Sequence, residues 1–122
     1  MKENRVTHFE IPCDNPEKTM DFFKTVFNWK FQQFGEQEYW FAITGNESDG
    51  INGAIMKKRD SNQPLTNSIS VDDIDVTMKS VQENGGEIVV PKMAIPENGW
   101  LTFFKDPDGN IHGIWQDDKN AK

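Results

Sequence analysis

Residues 6–27 read VTHFEIPCDNPEKTMDFFKTVF, and this stretch decides the fold. Its opening, Val6–Ile11, alternates and is rich in β-formers, which predicts a strand. Asn15 as the N-cap and Pro16 at the first helical position predict that a helix begins directly afterwards. Apolar residues at helical spacing extend this helix to about residue 29: Met20, Phe23 and Phe27. The stretch therefore predicts a strand followed at once by an amphipathic helix.

The same order of elements is predicted in both halves of the chain. Three short strand candidates follow the first helix and begin at Lys30, Tyr39 and Ile51. The second half opens with a strand pattern over 67–71 and a helical pattern over 72–86 that stops at Gly85-Gly86. Three further strand candidates begin at Glu87, Trp100 and Ile111. The order strand, helix, strand, strand, strand occurs twice and predicts an α+β fold of two βαβββ modules.

Single residues also correspond between the halves. A shift of 58 positions places Ile11 on Ile69, Asp14 on Asp72, Thr19 on Thr77 and Met20 on Met78. A shift of 60 places Trp40 on Trp100, Ile51 on Ile111 and Gly53 on Gly113. We therefore predict an internal duplication within one domain, 1–122. Module one covers about 5–58, a linker about 59–65, and module two about 66–116.

Composition narrows the classes of partner. The net charge of −7 argues against a nucleic-acid backbone or an anionic membrane and is compatible with a cationic ligand. No apolar stretch approaches the roughly 20 residues that span a bilayer. The opening residues lack the apolar region of a secretory signal peptide. Cys13 is the only cysteine, so no internal disulfide can form, and we expect a cytoplasmic protein.

Several motifs, in this order and spacing, resemble the vicinal oxygen chelate superfamily of glyoxalase I, bleomycin-resistance proteins and extradiol dioxygenases. They are His8 on the first strand, DNPEKTMDFF at 14–23, SVDDID at 70–75 and DPDGN at 106–110. The resemblance covers essentially the whole chain. It implies two βαβββ modules whose curled mixed sheets enclose a central cleft, and it implies a homodimer.

In metal-dependent members of that superfamily, four strand positions supply the metal ligands. The resemblance maps these positions to His8, Gly53, Thr66 and Gly113. Glycine has no side chain, and threonine is a poor ligand for transition metals. Glu10 lies on the same strand face as His8, but two ligands from one strand make only a weak site. We therefore expect no catalytic metal and no other cofactor.

Gly113 in the middle of the last strand raises a question, because glycine there marks either a close approach or a bulge. If Gly53 and Gly113 face the cleft, they widen it and let a ligand approach both strands. Close packing of the strands is the alternative explanation. The residues predicted to bind the ligand are Trp40, Ile51, Gly53, Ile55, Thr66, Ser68, Trp100, Gly113 and Trp115.

Three functions stay open at this point. The first is metal-free binding of a small aromatic or cationic molecule in an apolar cleft. Trp40, Trp100 and Trp115 either stack on this molecule or pack in the core or an interface. The second is a metal-independent isomerase or lyase in which His8 is the general base and Glu10 assists it. The third is a metal-dependent glyoxalase-like lyase or dioxygenase, which requires that the strand register be displaced by one residue.

Overall fold

The computed structural model describes residues 3–46 and 49–122. The elements follow in the order β1 (Arg5–Cys13), α1 (Pro16–Phe27), β2 (Lys30–Gln33), β3 (Tyr39–Ile43), β4 (Gly53–Lys57), β5 (Thr66–Ser70), α2 (Ile74–Glu83), β6 (Glu87–Ile95), β7 (Gly99–Lys105) and β8 (Ile111–Asp117). Strand, helix, strand, strand, strand therefore occurs twice, as predicted. Neither helix within the described residues is long and apolar enough to cross a membrane.

Helix α1 begins and ends where local chemistry requires. The Asn15 side chain accepts a hydrogen bond from the Lys18 backbone N–H at 3.1 Å, so the N-cap prediction is confirmed. The helix ends at Phe27 because Asn28 adopts the left-handed conformation, with φ of 63°. Trp29 consequently lies outside the helix, although the sequence predicts helix to about that position.

Helix α2 is capped by Asp73. Its carboxylate accepts hydrogen bonds from the backbone N–H groups of Asp75 and Val76, both at 3.1 Å. The helix ends at Glu83, and Gly85 follows with φ of 95°, a value that glycine adopts without strain. The Gly85-Gly86 stop is therefore confirmed.

The chain forms two compact units. The first is Thr7–Leu65, with the strand order β2-β3-β4-β1. The second is Thr66–Lys122 together with residues 3–6, and its strand order is β5-β8-β7-β6. In each unit the first and last strands of the module, β1 with β4 and β5 with β8, are parallel neighbours. The other neighbouring strands within each unit pair antiparallel.

Each unit has its own apolar packing. In the first unit the buried apolar residues lie on β3 and β4: Ala42, Ala54, Ile55 and Met56. In the second unit Val71, Ile74 and Ile114 are buried together. Partly buried side chains that pack against this second cluster are Ile69, Met78, Val81, Trp100 and Phe104.

Candidate functional site

The strands of the first unit turn one face towards helix α1. Phe9 packs on Trp29 with 5.8 Å between ring centroids, and Trp29 stacks on Phe23 of α1 at 4.6 Å. Alternate residues of a strand share a face, so Ile11 lies on the same side as Phe9. Ile11 is the register partner of Ile55, which brings Ile55 to that side as well. We name this the helix face, and the opposite face, which carries His8 and Glu10, the His8 face.

Three of the predicted ligand residues lie on the helix face. The sequence predicts that Trp40, Gly53 and Ile55 line a cleft together with His8. Trp40 pairs with Ile55, and Ala42 pairs with Gly53. Directly paired residues share a face, as do alternate residues of one strand. All three residues are therefore directed away from His8, which corrects that prediction.

Gly53 is explained by close packing. A Cβ at this position would lie 2.5 Å from the Phe9 carbonyl oxygen and 2.5 Å from the Phe9 ring. Of the two interpretations that the sequence allows, the structure therefore supports close approach of strands rather than space for a ligand.

The pairing also corrects the internal correspondence by one residue. Glu10 pairs with Ala54. Ser68, which matches Glu10 under the shift of 58, pairs with Gly113. Ala54 is therefore the counterpart of Gly113, a shift of 59 positions rather than 60. A displacement of one residue is enough to exchange the two faces of a strand.

His8, Glu10 and Tyr39 form one hydrogen-bonded group on the His8 face. The Tyr39 hydroxyl donates to Glu10 Oε2 at 2.7 Å, and His8 Nε2 lies 2.9 Å from the same hydroxyl oxygen. His8 Nε2 is 3.6 Å from Glu10 Oε2. Alternation in β1 predicts the proximity of His8 and Glu10, but Tyr39 is missed because it arrives from β3. The alternation of β3 would identify Tyr39 as a residue of this face, but only when β3 is known to lie two strands from β1.

Glu10 is a largely buried carboxylate, with a side chain 16% exposed against 27% for His8. Burial raises the pKa of Glu10, but the neighbouring His8 and the hydrogen bond from Tyr39 outweigh burial and lower the pKa below its ordinary 4.5. Burial, together with the neighbouring Glu10 charge, raises the pKa of the Tyr39 hydroxyl. At neutral pH the pair is therefore an ionised carboxylate and a neutral phenol.

Aromatic rings lie beside this carboxylate. Phe41 pairs with Ala54, which in turn pairs with Glu10, so the three residues form a row across three strands. The Phe41 ring lies 5.5 Å from the Tyr39 ring and 5.5 Å from the Phe34 ring. The His8 face thus combines a negative charge with a cluster of π systems.

The second unit brings three of the predicted residues onto one face. Ser68 pairs with Gly113, and Thr66 shares the face of Ser68 by alternation. All three are buried. A Cβ at Gly113 would lie 2.7 Å from Ser68 Oγ, so this glycine also permits a close approach between strands. These three residues supply no ionisable group.

Trp115 lies on the same face of the second unit, since it pairs with Ser70, two residues after Ser68. Its indole N–H donates to Asp117 Oδ1 at 2.7 Å, and its ring covers Gly99, where a Cβ would collide with it. Trp115 therefore shares a face with Gly113, and its contribution to ligand binding stays a prediction.

Trp100, in contrast, belongs to the apolar packing under helix α2. Thr102 pairs with Ile114, and Trp100 shares the face of Thr102 by alternation. The indole packs against the buried cluster that includes Ile114, donates to Asp118 Oδ2 at 2.9 Å, and has Lys92 Nζ 4.8 Å from its ring centroid. Of the two roles that the sequence allows for Trp100, the structure supports apolar packing, because this ring faces α2 and not the side of Gly113.

Ile51 lies just before β4, outside the strand. Its carbonyl accepts a hydrogen bond from the Thr44 hydroxyl at 2.7 Å, which fixes the backbone at the entry to β4. Its contribution to ligand binding stays a prediction.

A depression of about 100 Å³ lies in the second unit. Its lining residues are Glu3, Ser70, Val71, Asp72, Gln116 and Asp117. Some of these polar groups already serve the fold, since Gln116 Oε1 accepts from the Ile74 backbone N–H. None of the residues predicted to bind a ligand lines this depression.

The donors at the family's metal positions do not fit a divalent metal. With the corrected register the positions are His8 and Ala54 in the first unit and Thr66 and Gly113 in the second. Only His8 among them is a good ligand for a transition metal, and its Nε2 is already bonded to Tyr39. Over residues 3–46 and 49–122, no group of three His, Cys, Asp or Glu side chains is arranged to hold a metal ion.

Two βαβββ modules, each with parallel first and last strands, define an α+β protein of the vicinal oxygen chelate class. The family model of the Glyoxalase/Bleomycin resistance protein/Dioxygenase superfamily matches residues 5–112. The chain belongs to this superfamily.

Sequence relatives agree with this membership. A glyoxylase-like domain-containing protein of Didymella fabae is 26% identical over 119 residues, which cover 90% of this chain and 91% of that protein. The glyoxylase-type protein CFP32 of Mycobacterium bovis is 37% identical over 54 residues, or 43% of this chain. The matched stretch spans 21% of CFP32, so this chain matches about a fifth of that relative's length.

Solved structures show the same fold. A member of the superfamily from Vibrio splendidus has a TM-score of 0.67 at 17% identity, covering 93% of this chain and 98% of that one. Methylmalonyl-CoA epimerase from Mycobacterium tuberculosis has a TM-score of 0.66 at 11% identity, covering 93% and 87%. At these identities the likeness concerns the fold alone.

Proposed function

We propose that this domain binds a small organic cation with an aromatic or apolar body on the His8 face, without a catalytic metal. The observation that carries the proposal is the Glu10 carboxylate, which is largely buried, ionised at neutral pH and next to aromatic rings. A buried charge is costly unless a charge of opposite sign or several hydrogen bonds compensate it.

The compensation that Glu10 finds within the protein comes from hydrogen bonding and nearby charges rather than from a direct ion pair with lysine or arginine in the described residues. Its Oε2 accepts from Tyr39, a neutral donor, and lies 3.6 Å from His8, which is cationic only when protonated. Within the described part of the chain, no lysine or arginine forms an ion pair with Glu10; Arg59 acts on it only as a more distant charge. A ligand cation would supply a direct counter-charge to this carboxylate.

The aromatic rings favour the same class of ligand. The faces of Tyr and Phe rings carry partial negative charge and attract cations, by about 0.5–2 kcal/mol per contact depending on desolvation. Tyr39, Phe41 and Phe34 lie within one cluster beside Glu10. The net charge of −7 adds a long-range attraction for the same ligands.

The repeated order of elements supports an origin by duplication. The two modules differ at the positions of the ionisable side chains, since Thr66 and Ser68 stand where the first module has His8 and Glu10. We therefore place the ligand's charged group against the first module.

Calorimetric titration with two probe cations, benzylammonium and benzyltrimethylammonium, tests the proposal. We expect saturable binding of at least one, and a loss of roughly tenfold or more in affinity in Glu10→Gln, corresponding to about 1.4 kcal/mol or more. The matched control is Glu87→Gln, which removes an exposed carboxylate at the start of β6 and should leave affinity unchanged.

Two results would overturn it. Binding of neither cation, or equal affinity in Glu10→Gln and the unaltered protein, excludes a cation site at Glu10. Stoichiometric, tight binding of zinc, nickel, manganese or iron(II) in a parallel titration would contradict the proposal that the domain has no catalytic metal.

A metal-independent isomerase or lyase is the second candidate function. His8 is partly exposed and linked through Tyr39 to a carboxylate, an arrangement that can accept a proton from a bound molecule. Conversion of a bound compound that is lost in His8→Ala would favour this function over simple binding.

We also propose that the protein is a homodimer. Phe22, Val26 and Phe27 of α1 are each more than half exposed, and clustered exposed apolar side chains are typical of interfaces. Light scattering coupled to gel filtration decides this, and a monomeric mass would contradict it. A cytoplasmic location remains a prediction that rests on the single cysteine.

A further inference from the structure

The hydrogen bonds of the His8 face define where each proton lies. An ionised carboxylate only accepts, so the proton between Tyr39 and Glu10 at 2.7 Å belongs to the Tyr39 hydroxyl. That hydroxyl has a single proton. The contact of 2.9 Å between His8 Nε2 and the Tyr39 oxygen must therefore be a bond in which Nε2–H donates. The chain of donors runs from His8 through Tyr39 to Glu10.

This direction determines what the imidazole offers a ligand. In neutral histidine one ring nitrogen carries the proton and the other is an acceptor. Because Nε2 carries the proton, Nδ1 of neutral His8 has the free lone pair. Nδ1 has no hydrogen-bond partner among residues 3–46 and 49–122, and neither has Glu10 Oε1. Every buried side-chain N or O atom of these residues has a hydrogen-bond partner. Because His8 Nδ1 and Glu10 Oε1 have none, they are not buried and are in contact with solvent.

We infer that the ligand is a cation bearing N–H donors, such as a primary or secondary ammonium, an amidinium or a guanidinium, rather than a quaternary ammonium. The inference rests on the proposed function. The two groups left free on this face, Glu10 Oε1 and His8 Nδ1, are both acceptors, and a fully alkylated nitrogen satisfies neither. Tyr39 is the positioning residue, since its hydroxyl selects the His8 tautomer that presents Nδ1 as the acceptor.

The tautomer is measured first, because this step needs no ligand. The chain has two histidines, His8 and His112. Nitrogen NMR spectra of histidine-labelled protein are recorded under mildly alkaline conditions. Comparison with the His112→Gln variant assigns the His8 signals. We expect neutral His8 with protonated Nε2 and unprotonated Nδ1, and a mixture of tautomers in Tyr39→Phe. Protonated Nδ1 in the unaltered protein would overturn the inference.

Binding of the two probe cations then separates this inference from the proposed function. We expect benzylammonium to bind roughly tenfold more tightly than benzyltrimethylammonium. The preference should shrink in His8→Phe, which removes Nδ1, and in Tyr39→Phe, which no longer selects the tautomer that presents Nδ1 as the acceptor. Equal affinities in the unaltered protein, or a preference for the quaternary ion, would overturn the inference and leave the proposed function standing. Binding of neither probe would overturn both.

Discussion

Gly53→Ala is expected to destabilise the protein by about 3 kcal/mol or more, the upper part of the range for overpacked positions. The new methyl group would lie 2.5 Å from the Phe9 carbonyl oxygen, and a backbone atom within a parallel strand pair cannot move away alone. Separating β4 from β1 would also disturb the pairing of Glu10 with Ala54. Denaturant unfolding followed by circular dichroism measures the loss.

Two other glycines serve as controls for Gly53→Ala. Gly45→Ala adds a methyl group with nothing within 4 Å, so its stability should match the unaltered protein. Gly113→Ala should cost less than Gly53→Ala, because its nearest neighbour is the Ser68 hydroxyl at 2.7 Å, which can rotate. Unchanged stability in Gly53→Ala would mean that the register of β1 and β4 is wrong.

Trp100→Ala is expected to cost about 3 kcal/mol, the lower end for removing a large aromatic side chain from apolar packing. The indole packs against the cluster of Val71, Ile74 and Ile114, and its N–H bonds to Asp118. Its removal should lower the midpoint of denaturant unfolding.

The matched variant for Trp100→Ala is Trp100→Phe, which keeps most of the ring contact and should cost markedly less. Affinity for benzylammonium should be unchanged in Trp100→Phe, since this ring faces α2. A variant with normal stability and weakened binding would restore the stacking role that the sequence predicts for Trp100.

The elements of the fold could be predicted because their signals are local. Asn15 and Asp73 cap the helices through their own neighbours, and Gly85 ends α2 through its backbone conformation. The strands follow from alternation, and the βαβββ order from their sequence. Errors occur at element ends, as at Trp29, because the left-handed conformation of Asn28 stops the helix before the apolar pattern ends.

The candidate site could be predicted only in part. His8 and Glu10 share a strand, so alternation is sufficient to bring them together. Tyr39, 29 residues from Glu10, is brought there by strand pairing alone. Comparison of the two halves of the sequence predicts a shift of 60 positions, which matches Gly53 with Gly113. The strand pairing instead matches Ala54 with Gly113, a shift of 59. Matching residue types cannot detect such an error, since glycine recurs for packing reasons in both modules.

Superfamily membership, the two modules and the pairing of His8 with Glu10 were all present in the order of residues. Each depends on contacts within one strand, one helix or one turn, or on motifs that are themselves contiguous. The face on which each tryptophan lies, the place of Tyr39 between imidazole and carboxylate, and the need for glycine at position 53 were decided by tertiary structure. Strand register sets all three, because a step of one residue reverses the direction of every side chain while leaving the pattern of residue types almost unchanged.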